Sequence, residues 1–232
     1  MSSPVTVEDR GEVCVVRLDD GKANVLTLET IELLGSALGD AAGSGAVVLA
    51  GREGCLSAGL DRGVMTGGDR AARSQVLRAV TELYQTMMTL PAPLVVACTG
   101  HAIAAGAVLL LVADERFAAS ATGRIGLTEV QVGVPLPPLA MAVARARIVP
   151  NHLARATLGA ALLSPEAALT YGYVDELHPP DEVVHRAVER AAYLGTLRAA
   201  AYLASRELLW APVLAEIDAA RSAQRERERG SG

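Results

Sequence analysis

The sequence predicts an α/β fold, and three observations carry that prediction. Short apolar runs at residues 46–50 and 94–98 each lead into a turn of small residues, and the second turn opens into an apolar stretch of helical length. Strand-like and helix-like segments alternate along most of the chain and end in a helical C-terminal part, which fits α/β rather than an all-helical fold. Apolar residues make up 51% of the 232 positions, yet only 3% are aromatic. The core must then be built from Ala, Val, Leu and Ile, side chains that suit helices packed closely on sheets.

Each element has its own warrant. Residues 5–17 alternate as the strands of a hairpin, with Asp9-Arg-Gly11 at the turn. Residues 27–39 carry helical apolar spacing, with Thr27 and Glu29 at the start. A strand follows at 47–50. Residues 62–73 are rich in glycine and charge and predict a mobile loop. Residues 75–90 predict a helix ended by Pro91-Ala-Pro93. Next come the strand at 94–98, an apolar helix, a short strand at 115–119 and a segment around Glu129. There Thr128-Glu-Val-Gln131 fits a capping box at a helix start. Residues 136–148 and 151–162 predict helices, and Ser164-Pro-Glu166 opens another with proline in its first turn. A last helical region runs to about Arg227, with residues 221–232 expected as a solvated tail.

Composition excludes several classes. A net charge of −5 offers no bulk attraction to nucleic acid, so no nucleic-acid partner is expected. Residues 1–9 are polar and lack the apolar segment of a signal peptide, and the longest apolar run, residues 102–113, is too short to span a bilayer. No membrane association and a cytoplasmic location are therefore expected. Cys14, Cys55 and Cys98 are odd in number and far apart, which argues against a disulfide framework or a zinc knuckle. The histidines show no ligand spacing, so no metal is expected.

The chemistry lies in the two turns. Cys55-Leu-Ser-Ala-Gly-Leu-Asp61 and Gly100-His-Ala-Ile-Ala-Ala-Gly106 both place small residues after a strand. Unpaired N–H groups at a helix start, approached closely past small side chains, can hold a negative oxygen. Two such turns aimed at one oxygen would form an oxyanion hole made of main chain. The alternative for each turn alone is a tightly packed strand-to-helix connection.

Five segments in register resemble the crotonase superfamily, the enoyl-CoA hydratase/isomerase family. They are Asp20-Gly-Lys-Ala-Asn-Val-Leu26, Ser57-Ala-Gly-Leu-Asp61, the run from Gly100 to Asp114, Ile125-Gly-Leu-Thr-Glu-Val-Gln-Val-Gly-Val-Pro135 and Ala167-Leu-Thr-Tyr-Gly-Tyr-Val-Asp175. Asp19-Asp-Gly-Lys22 and Ala97-Cys-Thr-Gly-His-Ala-Ile103 resemble an actinobacterial branch of that family labelled enoyl-CoA hydratase. The resemblance implies a spiral of ββα turns over residues 1–190 and C-terminal helices, used in trimerisation, over 191–232. It implies an acyl-CoA thioester as substrate, no cofactor beyond that coenzyme A, and a homotrimer or a dimer of trimers.

It also implies roles for residues. The oxyanion donors would be the N–H groups of Leu60 and Ala105, the latter standing where the family commonly has glycine, and Glu129 would be the catalytic base. Ala23, Val25, Ala58, Asp61 and Arg62 would meet coenzyme A. One departure matters: hydratases of the family use a second glutamate, and Val108 occupies its position. Gly126-Leu-Thr-Glu-Val-Gln-Val-Gly133 resembles the isomerase pattern Gly-Leu-Asn-Glu-Thr-Gln-Leu-Gly. The resemblance therefore favours an enzyme that shifts a Δ3 double bond to Δ2 with one glutamate. A hydratase of fatty-acid β-oxidation and a non-catalytic acyl-CoA binder stand as alternatives. A serine hydrolase built on Ser57 is disfavoured, since the second turn holds only Ala and Gly where such a nucleophile belongs. Asp114 is expected to serve a structural turn.

Overall fold

The computed structural model describes residues 3–121 and 123–230. A hairpin opens the chain: β1 (Val5–Arg10) and β2 (Val13–Leu18) pair antiparallel, with Gly11 at the turn. The short β3 (Val25–Leu26) precedes α1 (Leu28–Asp40), whose cap Thr27 accepts from the Thr30 N–H. The chain then winds as a spiral. One turn runs through β4 (Ala46–Gly51), β5 (Gly54–Ser57), β6 (Gly59–Leu60), α2 (Arg62–Thr66) and α3 (Arg70–Thr89). The next runs through β7 (Leu94–Cys98), β8 (Gly100–Ile103) and α4 (Ala105–Leu111). The third lays down β9 (Glu115–Ala119), β10 (Ile125–Gly126) and a 3-10 turn at Glu129–Val132, followed by α5 (Pro138–Arg147). Two short helices, α6 (Pro150–Thr157) and α7 (Pro165–Tyr171), lead to β11 (Glu176–His178), α8 (Val183–Gly195) and the long α9 (Ala199–Gly230).

The strands sort into sheets by turn of the spiral. The large sheet has the order β1-β2-β4-β7-β9-β11, parallel from β2 onward, and a small parallel sheet has the order β10-β8-β5. A parallel β3–β6 pair stands apart. Both faces of the large sheet are covered, which explains why β4 and β7 read as unbroken apolar runs. One face carries Val15, Val48, Val95 and Phe117, packed against Val183, Ala187, Ala191 and Leu194 of α8. The other face carries Val16, Leu49 and Val96 into the main core shared with α1, α3, α4 and α5. Helix α4 is apolar on every side and wholly buried between these layers.

Several expectations need correction. The stretch expected as a loop at residues 62–73 forms α2 and the first turn of α3, because Asp61 and Asp69 each accept backbone N–H groups as helix caps. The helix expected over 151–162 ends at Thr157, where Gly159 and Ala160 (φ 45°) turn the chain. The helical region expected to about Arg227 runs on, as α9, to Gly230. The division expected after residue 190 falls within α8. No described helix is long and apolar enough to cross a membrane.

Helix α9 lies back on its own chain, with Trp210, Val213 and Ile217 buried in the main core and Leu208 and Leu209 exposed. Its anchor is Arg206. That side chain lies 2.9 Å from the Asp114 carboxylate and donates to the carbonyls of Met87, Leu90 and Ala92 at the end of α3. Asp114 also accepts the Leu94 N–H at 2.8 Å, the structural role expected for it. Arg206→Met should destabilise the fold by about 3–5 kcal/mol, because it strands a buried carboxylate and the carbonyls that end α3. Urea unfolding at neutral pH measures this; a loss under about 1 kcal/mol would show that α9 is held by its apolar face alone.

Candidate active site

The site forms where the two small-residue turns converge. Asn24 is fully buried at φ 51°, and its amide donates to the carbonyls of Leu18, Cys55 and Leu56. The Ser57 hydroxyl donates to the Asn24 carbonyl at 2.7 Å and accepts the Gly59 N–H at 3.1 Å. These bonds fix the β5–β6 turn and occupy Ser57, leaving it no role as a nucleophile. Gly59 sits at φ 89°, and a Cβ there would lie 3.3 Å from the Ala105 nitrogen. A Cβ on Gly106 would lie 2.3 Å from the Ser57 carbonyl oxygen. Glycine at both positions lets the turns touch backbone to backbone.

The second turn carries its strain at Ala104, with φ 51° and ψ −120°, rather than at Ala105, which begins α4. Ala104 donates to the Gly126 carbonyl, and its own carbonyl accepts from Ala107 and Val108. Among the described residues nothing accepts the Ala105 N–H. As the first residue of α4 it has no intrahelical partner either.

A cavity of about 290 Å³ opens beside these turns. Leu60, Ala105 and Glu129, expected to act together, all line it, as do Ala58, Arg62 and Val108. Ala23 and Val25 do not line it. The Ala23 carbonyl instead accepts from the Ala58 N–H, and the Val25 N–H donates to Asp20. Asp61 is spent as the cap of α2, accepting from Val64 at 3.1 Å.

Glu129 is the only carboxylate among the lining residues. It begins the 3-10 turn instead of an α-helix, and Thr128 makes no side-chain cap. The expected capping box is absent because the Gln131 amide donates across the cavity rim to the Ala160 carbonyl at 2.7 Å. One Glu129 carboxylate oxygen is buried without a hydrogen-bond partner, and burial raises its pKa above the ordinary glutamate range. A partly desolvated carboxylate with one unpartnered oxygen, facing an apolar cavity, is able to accept a proton there.

Helix α3 contributes what sequence reasoning missed. Leu77, Val80, Thr81 and Tyr84 form one wall of the cavity. The Tyr84 hydroxyl is buried and donates to the Ala105 carbonyl at 2.7 Å. Burial first, and the Glu129 charge second, push its pKa well above the ordinary value, so it stays a donor. Tyr84 lies within the helix expected over residues 75–90; its polar tip was the available signal, since a buried tyrosine hydroxyl usually finds an acceptor. Tyr84→Phe should lower kcat several-fold with little change in KM, because it frees the Ala105 carbonyl, and with it the residue whose N–H opens α4, while leaving the wall apolar. Equal kcat in the two proteins would show that α4 needs no such tether.

Comparisons with known proteins identify the family and the fold. Residues 8–228 match the family described as Enoyl-CoA hydratase/isomerase. The crystal structure of an enoyl-CoA hydratase from Mycobacterium ulcerans superposes with a TM-score of 0.90 at 37% identity, covering 94% of this chain and 96% of that one. The apo structure of an enoyl-CoA isomerase from Mycobacterium tuberculosis gives a TM-score of 0.90 at 34% identity, again over 94% and 96%. The mitochondrial enoyl-CoA delta isomerase 1 of Rattus norvegicus is 30% identical over 191 residues, 79% of this chain and 66% of that protein. The chain thus spans just under two thirds of the length of that relative.

Proposed function

Since the chain belongs to the enoyl-CoA hydratase/isomerase family, we propose that it is an enzyme shifting the double bond of an enoyl-CoA thioester from Δ3 to Δ2 with Glu129 as its one acid–base group. The observation that carries this reading is the lone carboxylate of the cavity, half-buried and with one oxygen unpartnered, with apolar Val108 where a hydratase of the family has its first glutamate.

The thioester oxygen accepts the N–H groups of Leu60 and Ala105. Ionised Glu129 takes a proton from C2, so the C2–H bond breaks and negative charge collects on that oxygen as a dienolate. The C3–C4 double bond moves to C2–C3 as the same carboxyl returns the proton to C4. Atoms and charge balance with no water and no second acid. Hydration instead needs one group to activate water and a source for the proton that arrives at carbon. Arg62, at the cavity mouth, is the proposed partner of a coenzyme A phosphate, with Ala23, Val25, Ala58 and Asp61 shaping the adjoining backbone.

The mycobacterial relative named a hydratase supports hydration as the second reading. Turnover of trans-3-enoyl-CoA and hydration of trans-2-enoyl-CoA, measured side by side, separate the two. Brisk hydration with an untouched 3-enoyl substrate would overturn the isomerase. We further infer a homotrimer or dimer of trimers in the cytoplasm, with exposed Leu208 and Leu209 of α9 available to a neighbouring subunit; light scattering tests the assembly.

A further inference from the structure

A second groove, of about 380 Å³, lies between α3, α5 and α9 and shares Leu77, Thr81, Pro137 and Leu139 with the catalytic cavity. Arg70, Arg73 and Arg78 of α3 and Arg221 of α9 line it. In a chain of net charge −5 this is a marked concentration of positive charge. Among the described residues no carboxylate pairs with any of the four; the same holds for Arg17, Arg62, Arg124, Arg147, Arg155 and Arg198, whereas Arg10, Arg52, Arg116, Arg145, Arg186, Arg190 and Arg206 have acidic partners. Asp69, next in sequence, is occupied by the N–H groups of Ala71 and Ala72. The one side-chain contact in the cluster is Arg78 to Ser74, 3.1 Å.

Direction decides what would reach these arginines. A thioester oxygen held at Leu60 and Ala105 leaves two exits for the rest of the substrate. One passes Ala58 and Arg62, the side assigned above to coenzyme A. The other points toward Leu77, Thr81, Pro137 and Leu139, apolar apart from one threonine, which line both cavities; the guanidinium groups stand beyond them in the second groove. An alkyl tail gains nothing from that ending; a carboxylate gains charge-assisted hydrogen bonds, which guanidinium groups make in bidentate form.

We propose that this groove, which Arg73, Arg78 and Arg221 border, binds an anionic group at the distal end of the acyl chain, so that the enzyme favours ω-carboxyacyl-CoA thioesters. The inference rests on the acyl-CoA reading above, but its test needs no turnover. Calorimetry at low salt would compare adipoyl-, suberoyl- and sebacoyl-CoA with hexanoyl-, octanoyl- and decanoyl-CoA, each pair matched in length. At least one ω-carboxylate should bind about tenfold tighter than its alkyl match. That ratio should fall toward one in the Arg73→Ala/Arg78→Ala variant and at high salt, and stay unchanged in Arg155→Ala, a control on α6.

Equal affinity within every pair would overturn the proposal. So would a double variant that weakens all the thioesters alike, with the weakening abolished when the 3′-dephospho-CoA thioesters are used; the groove would then hold the nucleotide. If the ω-carboxylates bind preferentially but no 3-enoyl substrate turns over, the groove stands and the isomerase reading fails. If none of the thioesters binds, both fail.

Discussion

Glu129→Gln should lower turnover of 3-enoyl-CoA by about 10²–10⁴-fold, the usual loss when a general base is removed. The substitution keeps the shape of the side chain and alters only its ability to take a proton. The wild-type rate should rise with pH through a pKa above the ordinary glutamate range, because burial raises that pKa and only the ionised form acts. The same shift has a consequence for stability. A group whose folded pKa is raised stabilises the fold below its unfolded pKa, and that stability is lost as pH rises through the folded pKa. Ionised Glu129 therefore weighs against the folded state at neutral pH. Glu129→Gln should raise Tm at pH ~7, with the difference vanishing near pH ~4, where the wild-type carboxyl is protonated. A variant that is inactive and no more stable at neutral pH would show that the carboxylate is better solvated than its burial implies. Unchanged turnover would remove Glu129 from the chemistry.

Gly106→Ala should cost about 10²–10³-fold in kcat, the range seen when an oxyanion donor is lost. Its Cβ would sit 2.3 Å from the Ser57 carbonyl oxygen and 2.9 Å from the Ser57 carbonyl carbon, both main-chain atoms, so the two turns must separate. Separation moves the Ala105 N–H away from Leu60 while leaving Glu129 in place. Gly35→Ala, in the middle of α1 with open space around its Cβ position, serves as the control and should be neutral or slightly stabilising. Circular dichroism and thermal unfolding establish that the Gly106→Ala protein is folded before its rate is read. Near-normal kcat in that folded protein would sink the main-chain oxyanion hole at this place.

Much of the architecture was legible because its signals are local. The apolar runs at β4 and β7, the Thr27 and Ser164 caps, Pro91 and Pro93 after α3 and the small residues of the two turns each act on their own neighbourhood. The errors arose where polar residues misled. Glycine and charge at residues 62–73 suggested a loop, but Asp61 and Asp69 cap helices there. Thr128 and Gln131 matched a capping pattern, but Gln131 found a better-placed acceptor at Ala160 from a different part of the chain.

The sequence by itself determined the α/β class, the order of the main strands and helices, and the small-residue turns around Gly59 and Gly106, all of which depend on residue type and short spacing; Glu129 was singled out by the family resemblance. Only the tertiary structure decided that the Leu60 and Ala105 turns line one cavity, that Tyr84 holds the Ala105 carbonyl, that Arg206 ties α9 to the end of α3, and that one oxygen of Glu129 has no partner. The reason is physical. A side chain's helix or strand preference is set by its own backbone and near neighbours, whereas its hydrogen-bond partner, its solvation and hence its pKa are set by whichever distant surfaces the packed core brings against it.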